Sequence, residues 1–276
     1  MIFTDLDGTL LDHDTYRWDK AERALLLCRE RRVPVVLVSS KTRAEINPLR
    51  LELGLAAPFI SENGGGIFFP AESPAEPPPH LILVGELWKW SLGRPYKEVV
   101  AALQEIRKEM QCPLRGFSDL SVEEISEHTG LPPDKARLAA MREFDEPFLA
   151  PCRKGRKWEL LLEAAAIRGL QVTEGGRFFH LHGSCDKGAA VENLTLWYRS
   201  AYGPVMTAAL GDSPNDFSML KRADYPVLVK TAQSYPELAQ ELPSLRTTEE
   251  QGPAGWNAAV TALLSGKWNQ GERTYV

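Results

Sequence analysis

An open parallel sheet wrapped by helices, with an α+β cap domain inserted into it, is the α/β architecture that this sequence predicts. Three observations predict it. Short β-branched runs alternate with helical stretches near both ends of the 276-residue chain. Those runs are continuously apolar, which fits strands covered on both faces better than half-exposed ones. Between them the alternation breaks at a proline-rich stretch, residues 70–79, and a different pattern fills the middle. Alternation of this kind implies right-handed βαβ crossovers, with reactive side chains delivered to the carboxyl ends of the strands.

The first strand starts at Met1 and runs into Asp5-Leu6-Asp7-Gly8-Thr9. Carboxylates two apart on a strand point to opposite faces, unless the strand ends between them and a glycine turns the chain, as Gly8 does. Lys20 to Arg31 reads as a helix with Ala24, Leu25, Leu27 and Cys28 on one side, and Val33 to Val38 as a buried parallel strand. A helix from Thr42 to Leu53, a stop at Gly54 and a strand at Pro58 to Ser61 complete the next step, which ends in Asn63-Gly64-Gly65-Gly66.

Beyond the proline-rich connector, Leu81 to Trp90 reads as a strand and Tyr96 to Met110 as an amphipathic helix. Ser121 to Ala140 reads as shorter helices broken at Gly130-Leu-Pro-Pro133, Trp158 to Ile167 as another helix, and Gly169 to Leu181 as a strand pair. These elements form the expected cap, residues 84–183, between core segments 1–83 and 184–276. The parallel pattern resumes with a helix at Lys187 to Tyr198, a strand at Val205 to Leu210, a short helix at Pro214 to Lys221, a strand at Tyr225 to Val229 that completes the sheet, and a final helix at Trp256 to Leu264.

Three clusters besides the aspartate pair fall at the reactive edge. Ser39 and Ser40 follow a strand and lead into Lys41-Thr42-Arg43, where a hydroxyl and free N–H groups suit a phosphate oxygen, although serine before a helix is often only a cap. Lys187 opens a helix after Gly183-Ser184-Cys185-Asp186, a position where a lone lysine is usually solvated. Gly211-Asp212-Ser213-Pro214-Asn215-Asp216 ends a strand with carboxylates suited to a hard cation, or to a capped turn.

Composition narrows the function class. A net charge of −5 gives no reason to expect nucleic acid or an anionic membrane as partner. Cys28, Cys112, Cys152 and Cys185 lack metal-ligand spacing and read as thiols of a reducing compartment. A strand beginning at Met1 leaves no place for a signal peptide, and no apolar run reaches membrane-spanning length, so the expected location is cytoplasmic. Monomer and dimer are both open.

In this order the four clusters resemble the motifs of the haloacid-dehalogenase superfamily of phosphotransferases: Asp5-Leu-Asp-Gly-Thr-Leu the first, Ser39 the second, Lys187 the third, Gly211-Asp212 with Asn215-Asp216 the fourth. One branch of that superfamily carries a large α/β cap between the second and third motifs. The resemblance implies catalysis by Asp5, Asp7, Ser39 and Lys187, and Mg²⁺ held by Asp5, Asp7, Asp212 and Asp216.

Further stretches, Ser39-Ser-Lys-Thr-Arg-Ala-Glu-Ile46, Ser61-Glu-Asn-Gly-Gly65, Arg115-Gly-Phe-Ser-Asp119, Arg142-Glu-Phe-Asp-Glu-Pro-Phe148 and Gly252-Pro-Ala-Gly-Trp256, are similar to mannosyl-3-phosphoglycerate phosphatases. That similarity implies a phosphorylated glycoside as substrate and mannosylglycerate, a compatible solute, as product. Substrate contacts are then expected from Ser40, Thr42, Arg43, Asn63, Gly64, Gly65, Arg115, Arg177, Ser184 and Asn215. Lys154, Arg156 and Lys157 are further candidates for the glycerate carboxylate, and Trp88, Trp90 and Trp158 are expected in the cap core. A glucosyl ester or another sugar phosphate as substrate, a phosphosugar mutase, and a non-catalytic binding protein remain open beside this reading.

Overall fold

The expected alternation closes into a five-stranded parallel sheet in the order Arg246–Gln251, Tyr225–Lys230, Ala208–Gly211, Ile2–Thr4, Val35–Leu37. The computed structural model describes residues 1–71, 77–78, 80–151, 153–174 and 178–266. Along the chain come β1 (Ile2–Thr4), α1 (Glu22–Glu30), β2 (Val35–Leu37), α2 (Arg43–Glu52), β3 (Phe59–Ser61), β4 (Gly66–Pro70), β5 (Ile82–Val84) and β6 (Leu87–Ser91). The inserted part holds α3 (Tyr96–Met110), β7 (Arg115–Gly116), α4 (Val122–Thr129), α5 (Pro133–Ala139), β8 (Asp145–Leu149), α6 (Arg156–Ile167), β9 (Gln171–Glu174) and β10 (Phe179–His182). The chain returns through α7 (Lys187–Tyr202), β11 (Ala208–Gly211), α8 (Phe217–Leu220), β12 (Tyr225–Lys230), α9 (Pro236–Glu241), β13 (Arg246–Gln251) and α10 (Gly252–Leu264).

Central placement of β1 follows from its composition. Ile2 joins one buried cluster, with α1 and α10, and Phe3 joins the other, with α7 and α8. A strand apolar on both faces belongs between helical layers, and burying a side chain such as Phe3 stabilises by about 1.5–3 kcal/mol. Trp256 of α10 is fully buried and donates its indole N–H to Thr4 Oγ1 at 2.9 Å, fixing α10 across the end of β1. With β11 and β2 paired on either side of β1, the residues after these three strands emerge side by side.

The structure corrects several expectations. β12 does not complete the sheet; β13 pairs with it outside. The β13 sequence, Arg-Thr-Thr-Glu-Glu-Gln, is polar because an edge strand faces water and needs no apolar run. The stretch from Leu81 to Trp90 is not one strand but the β5–β6 hairpin, and β6 pairs with β4 in an antiparallel sheet β3-β4-β6-β5. That sheet joins the parallel one through a Val38–Ile60 bridge, so the expected boundary at residue 84 falls inside a hairpin associated with the core. Trp88 and Trp90 accordingly pack against the α7 face of the core rather than inside the cap, while Trp158 lies against Phe179 in the cap.

The cap is a second antiparallel sheet, β7-β8-β10-β9. Val99, Leu103 and Ile106 of α3 and Leu161 of α6 bury against Phe148 and Leu181 of the sheet. The helix break between α4 and α5 has local causes. Ser121 and Glu124 form a capping box at the start of α4, Gly130 ends it in the left-handed conformation, and Pro133 opens α5.

Candidate active site

The site is a charge cluster at the carboxyl edge of the parallel sheet. Asp5 follows β1 with its backbone N–H on Leu210 O at 2.9 Å, which locks it beside the end of β11. Lys187, the first residue of α7, is buried and donates to Asp5 Oδ1 at 2.6 Å and to Asp216 Oδ1 at 2.7 Å. The other oxygen of Asp216 accepts from the N–H groups of Asp212 and Ser213 at 3.0 and 3.1 Å. One aspartate thus orients the lysine and shapes the turn that presents Asp212. Asp5, Asp212 and Asp216 each offer an oxygen within 4.8 Å of the others.

Gly8 makes this convergence possible. Its φ is +80°, and a Cβ there would fall 2.7 Å from Asp212 Oδ2. Thr9, next in the chain, donates to Asp212 Oδ1 at 3.2 Å. Asp7 is turned back over the edge, with Oδ2 at 2.7 Å from Lys41 Nζ and Oδ1 buried without a protein partner among the described residues.

Crowding decides the ionisation of the cluster. Burial, then the Asp216 charge, pushes the Asp5 carboxyl well above the usual range, against the pull of Lys187. Burial and Asp216 likewise push Asp212 up to about 6. Burial works against the charge of Lys187, but Asp216 and Asp5 more than offset it and hold the ammonium above its ordinary value. The carboxyl groups of Asp5, Asp212 and Asp216 thus crowd together beside the Lys187 ammonium, while a second ammonium, Lys41, meets Asp7.

The remaining predicted residues fall in different places. Ser39 is buried two residues after β2 and its Oγ accepts from Lys41 N at 3.2 Å, which helps orient the loop. Ser40 lends its carbonyl to Arg142 of the cap at 2.9 Å, and Thr42 caps α2 and donates to Leu138 O at 2.9 Å. Asn63 adopts φ +53° and accepts from Asn215 at 3.5 Å, joining that loop to the fourth cluster. Gly64 has φ +97°, and a Cβ there would run into Asp186 O, while Gly65 lies under Phe144 of the cap. Ser184 is exposed in the loop before Lys187.

Two arginines are engaged elsewhere. Arg43 meets Glu143 at 2.6 Å, and Arg115, on the edge strand of the cap sheet, meets Glu124 at 2.7 Å. Arg177 lies outside the described residues. Residues that the sequence did not single out are Lys41, Thr9 and Glu62. Glu62 is buried and accepts from the N–H groups of Glu143, Phe144 and Asp145 at 2.8–3.1 Å, tying core to cap. Its only local signal is its place before Asn63-Gly64. Among the described residues no helix is long and apolar enough to cross a membrane.

Comparison with known proteins agrees with this geometry. Residues 2–74 and 166–239, which take in the core on both sides of the insertion and the last strands of the cap, match the haloacid dehalogenase-like hydrolase family. A glucosyl-3-phosphoglycerate/mannosyl-3-phosphoglycerate phosphatase of Methanococcoides burtonii is 41% identical over 96% of this chain and 97% of its own. One of the same name from Persephonella marina is 37% identical over 96% and 97%. A haloacid dehalogenase-like hydrolase from Bacteroides thetaiotaomicron shares the fold with a TM-score of 0.64 at 19% identity, over 95% of this chain and 98% of that one. The chain belongs to the haloacid dehalogenase-like hydrolases and is a phosphoric monoester hydrolase.

Proposed function

We propose that the protein is an Mg²⁺-dependent phosphatase that converts mannosyl-3-phosphoglycerate, and its glucosyl analogue, to the hexosylglycerate and phosphate through an aspartyl-phosphate on Asp5. The observation that carries this reading is the buried Lys187 bridging Asp5 and Asp216, beside Asp212. Two relatives named for both esters match over nearly their whole length, cap included, which supports acceptance of both hexoses.

A phosphate monoester is anionic and resists attack by a carboxylate until charge is neutralised. The donor set fits a hard divalent cation: crowded carboxyl oxygens, with Asp5 and Asp212 pushed upward first by burial and then by the Asp216 charge. Asp5, Asp212 and the Asp7 carbonyl would hold it, with Asp216 shaping the turn. Bound there, the cation supplies charge neutralisation at the phosphoryl oxygens.

The rest is work for the chain's own groups. Ser39 Oγ and Lys187 Nζ hold phosphoryl oxygens. Asp5 attacks phosphorus, forming an O–P bond as the bond to the glycerate oxygen breaks, and Asp7 delivers a proton to that oxygen. Asp7 then takes a proton from the water that cleaves the aspartyl-phosphate.

Phosphate release tests the reading. Mannosyl- and glucosyl-3-phosphoglycerate should be turned over with Mg²⁺, not in chelator, and in preference to mannose phosphates. Turnover of mannose phosphates alone would keep the chemistry and discard the substrate.

A further inference from the structure

We propose that Lys41 binds the glycerate carboxylate and so selects phosphoesters with an acid two carbons from the ester oxygen. The inference rests on the phosphoglycerate reading above. It starts from which cations are already engaged. Arg43 and Lys89 both meet Glu143, at 2.6 and 2.9 Å, and Arg115 meets Glu124. Arg156 points to Glu159 and Glu163 on an exposed face of the cap. Arg142 is held by Ser40 O at 2.9 Å and lies 3.8 Å from Asp145. Lys41 differs in facing the reacting edge, where its partner is the carboxylate proposed to protonate the leaving group.

Geometry sets the reach. In a 3-phosphoglycerate ester the carboxylate lies two carbons from the ester oxygen, which at ordinary bond lengths places its oxygens about 3–5 Å away. A group that protonates the ester oxygen sits about 3 Å from it. Lys41 Nζ is 2.7 Å from Asp7 Oδ2, so the ammonium lies within the span that the substrate carboxylate covers.

Chemistry agrees with position. An ammonium has three donors on a mobile stem, and Asp7 takes one of them, so Lys41 can hold a second acceptor without leaving the first. Its backbone is anchored on both sides: N donates to Ser39 Oγ at 3.2 Å, and O accepts from Glu62 N at 3.0 Å. The stem is thereby rooted beside the Ser39 hydroxyl proposed to hold the phosphate, and its ammonium reaches the side on which the substrate carboxylate would lie.

The test compares kcat/KM for mannosyl-3-phosphoglycerate with that for para-nitrophenyl phosphate, which has no carboxylate, in wild type, Lys41→Met and Lys41→Arg. Loss of one charged hydrogen bond predicts that Lys41→Met lowers the ratio of the two by about 10–150-fold, chiefly through KM for the glycerate ester. Lys41→Arg should recover part of it. Inhibition by mannosylglycerate should weaken in Lys41→Met by a similar factor. An equal loss on both esters would overturn the proposal, since Lys41 would then act only through Asp7. Wild-type turnover of para-nitrophenyl phosphate but of neither phosphoglycerate ester is a different pattern; it would overturn the substrate reading and the proposal with it.

Discussion

Replacing Lys187 by methionine keeps the volume of the side chain and removes the ammonium 2.6 Å from Asp5 and 2.7 Å from Asp216. At the effective dielectric of about 20 that suits protein charges, each contact is worth roughly 6 kcal/mol before desolvation is subtracted. Desolvation returns most of that, and removing one partner of a buried pair costs about 3–5 kcal/mol. At about 2–4 °C per kcal/mol for a chain of this size, Tm should fall by roughly 6–20 °C. The pH dependence carries the diagnosis. Asp5, whose ordinary value is 3.8, is already held well above it in the fold by burial and Asp216, and loss of Lys187 raises it further. A folded state that binds more protons than the unfolded one loses stability as pH rises. In magnesium-free buffer the deficit against wild type should therefore be largest above pH 7 and shrink toward pH 4. The contribution of Lys187 itself, whose value is raised, is constant over that window. Circular-dichroism melts from pH 4 to 8 measure this, and added Mg²⁺ should restore part of the loss. A deficit under about 1 kcal/mol, or one that does not change with pH, would refute the electrostatic account of this lysine.

Asp5→Asn should lower phosphate release at least a thousandfold, on the order seen for loss of a nucleophile, with an unchanged circular-dichroism spectrum; a tenth of wild-type activity would remove Asp5 from that role. Gly8→Ala places a Cβ at φ +80° and 2.7 Å from Asp212 Oδ2, so it should cost about 1–2 kcal/mol and raise the Mg²⁺ concentration for half-maximal activity. A Mg²⁺ titration and a melt that both match wild type would speak against the close approach. Burial pushes Glu62 from 4.5 up to about 7, so its contribution to stability is present below pH 4.5 and is lost as pH rises through 7. Glu62→Gln should flatten that part of the stability curve, and superimposable curves for the two proteins would exclude Glu62 as the titrating group.

The convergence of Asp5, Lys187, Asp212 and Asp216 was legible because each stands at a boundary that periodicity marks. Three follow apolar strands, and the fourth opens a helix after a glycine-containing loop. Partners distant in sequence were not legible. Arg43 looked available for a substrate because Glu143 lies 100 residues away in the cap. Arg115 was expected at the substrate from its place in Arg115-Gly-Phe-Ser-Asp119, yet its strand is at the edge of the cap sheet and its guanidinium faces Glu124. Lys41 escaped notice for the opposite reason, since a lysine after two serines at a helix start reads as ordinary solvated charge. β13 carries no apolar alternation, because only its pairing with β12 makes it a strand.

The phosphate-facing cluster is built entirely from core segments, whereas the cap reaches the site through a few residues beside it. Thr42 bonds Leu138 O, Ser40 O holds Arg142, Arg43 pairs with Glu143, and Glu62 gathers the N–H groups of 143–145. Every one of these contacts lands on residues 40–43 or on Glu62, next to Ser39 and joined to it through Lys41. On the proposed function, a cap displaced by an ill-fitting organic group would strain the loop that carries Ser39, and recognition of the organic half would be coupled to the placement of the phosphoryl group by adjacency. Changes at cap residues engaged only within the cap, such as Arg115→Ala at its Glu124 ion pair, should therefore leave kcat/KM near wild type. Disruption of the Glu62 junction should lower kcat for the natural ester and for a small ester together, because both depend on the same loop.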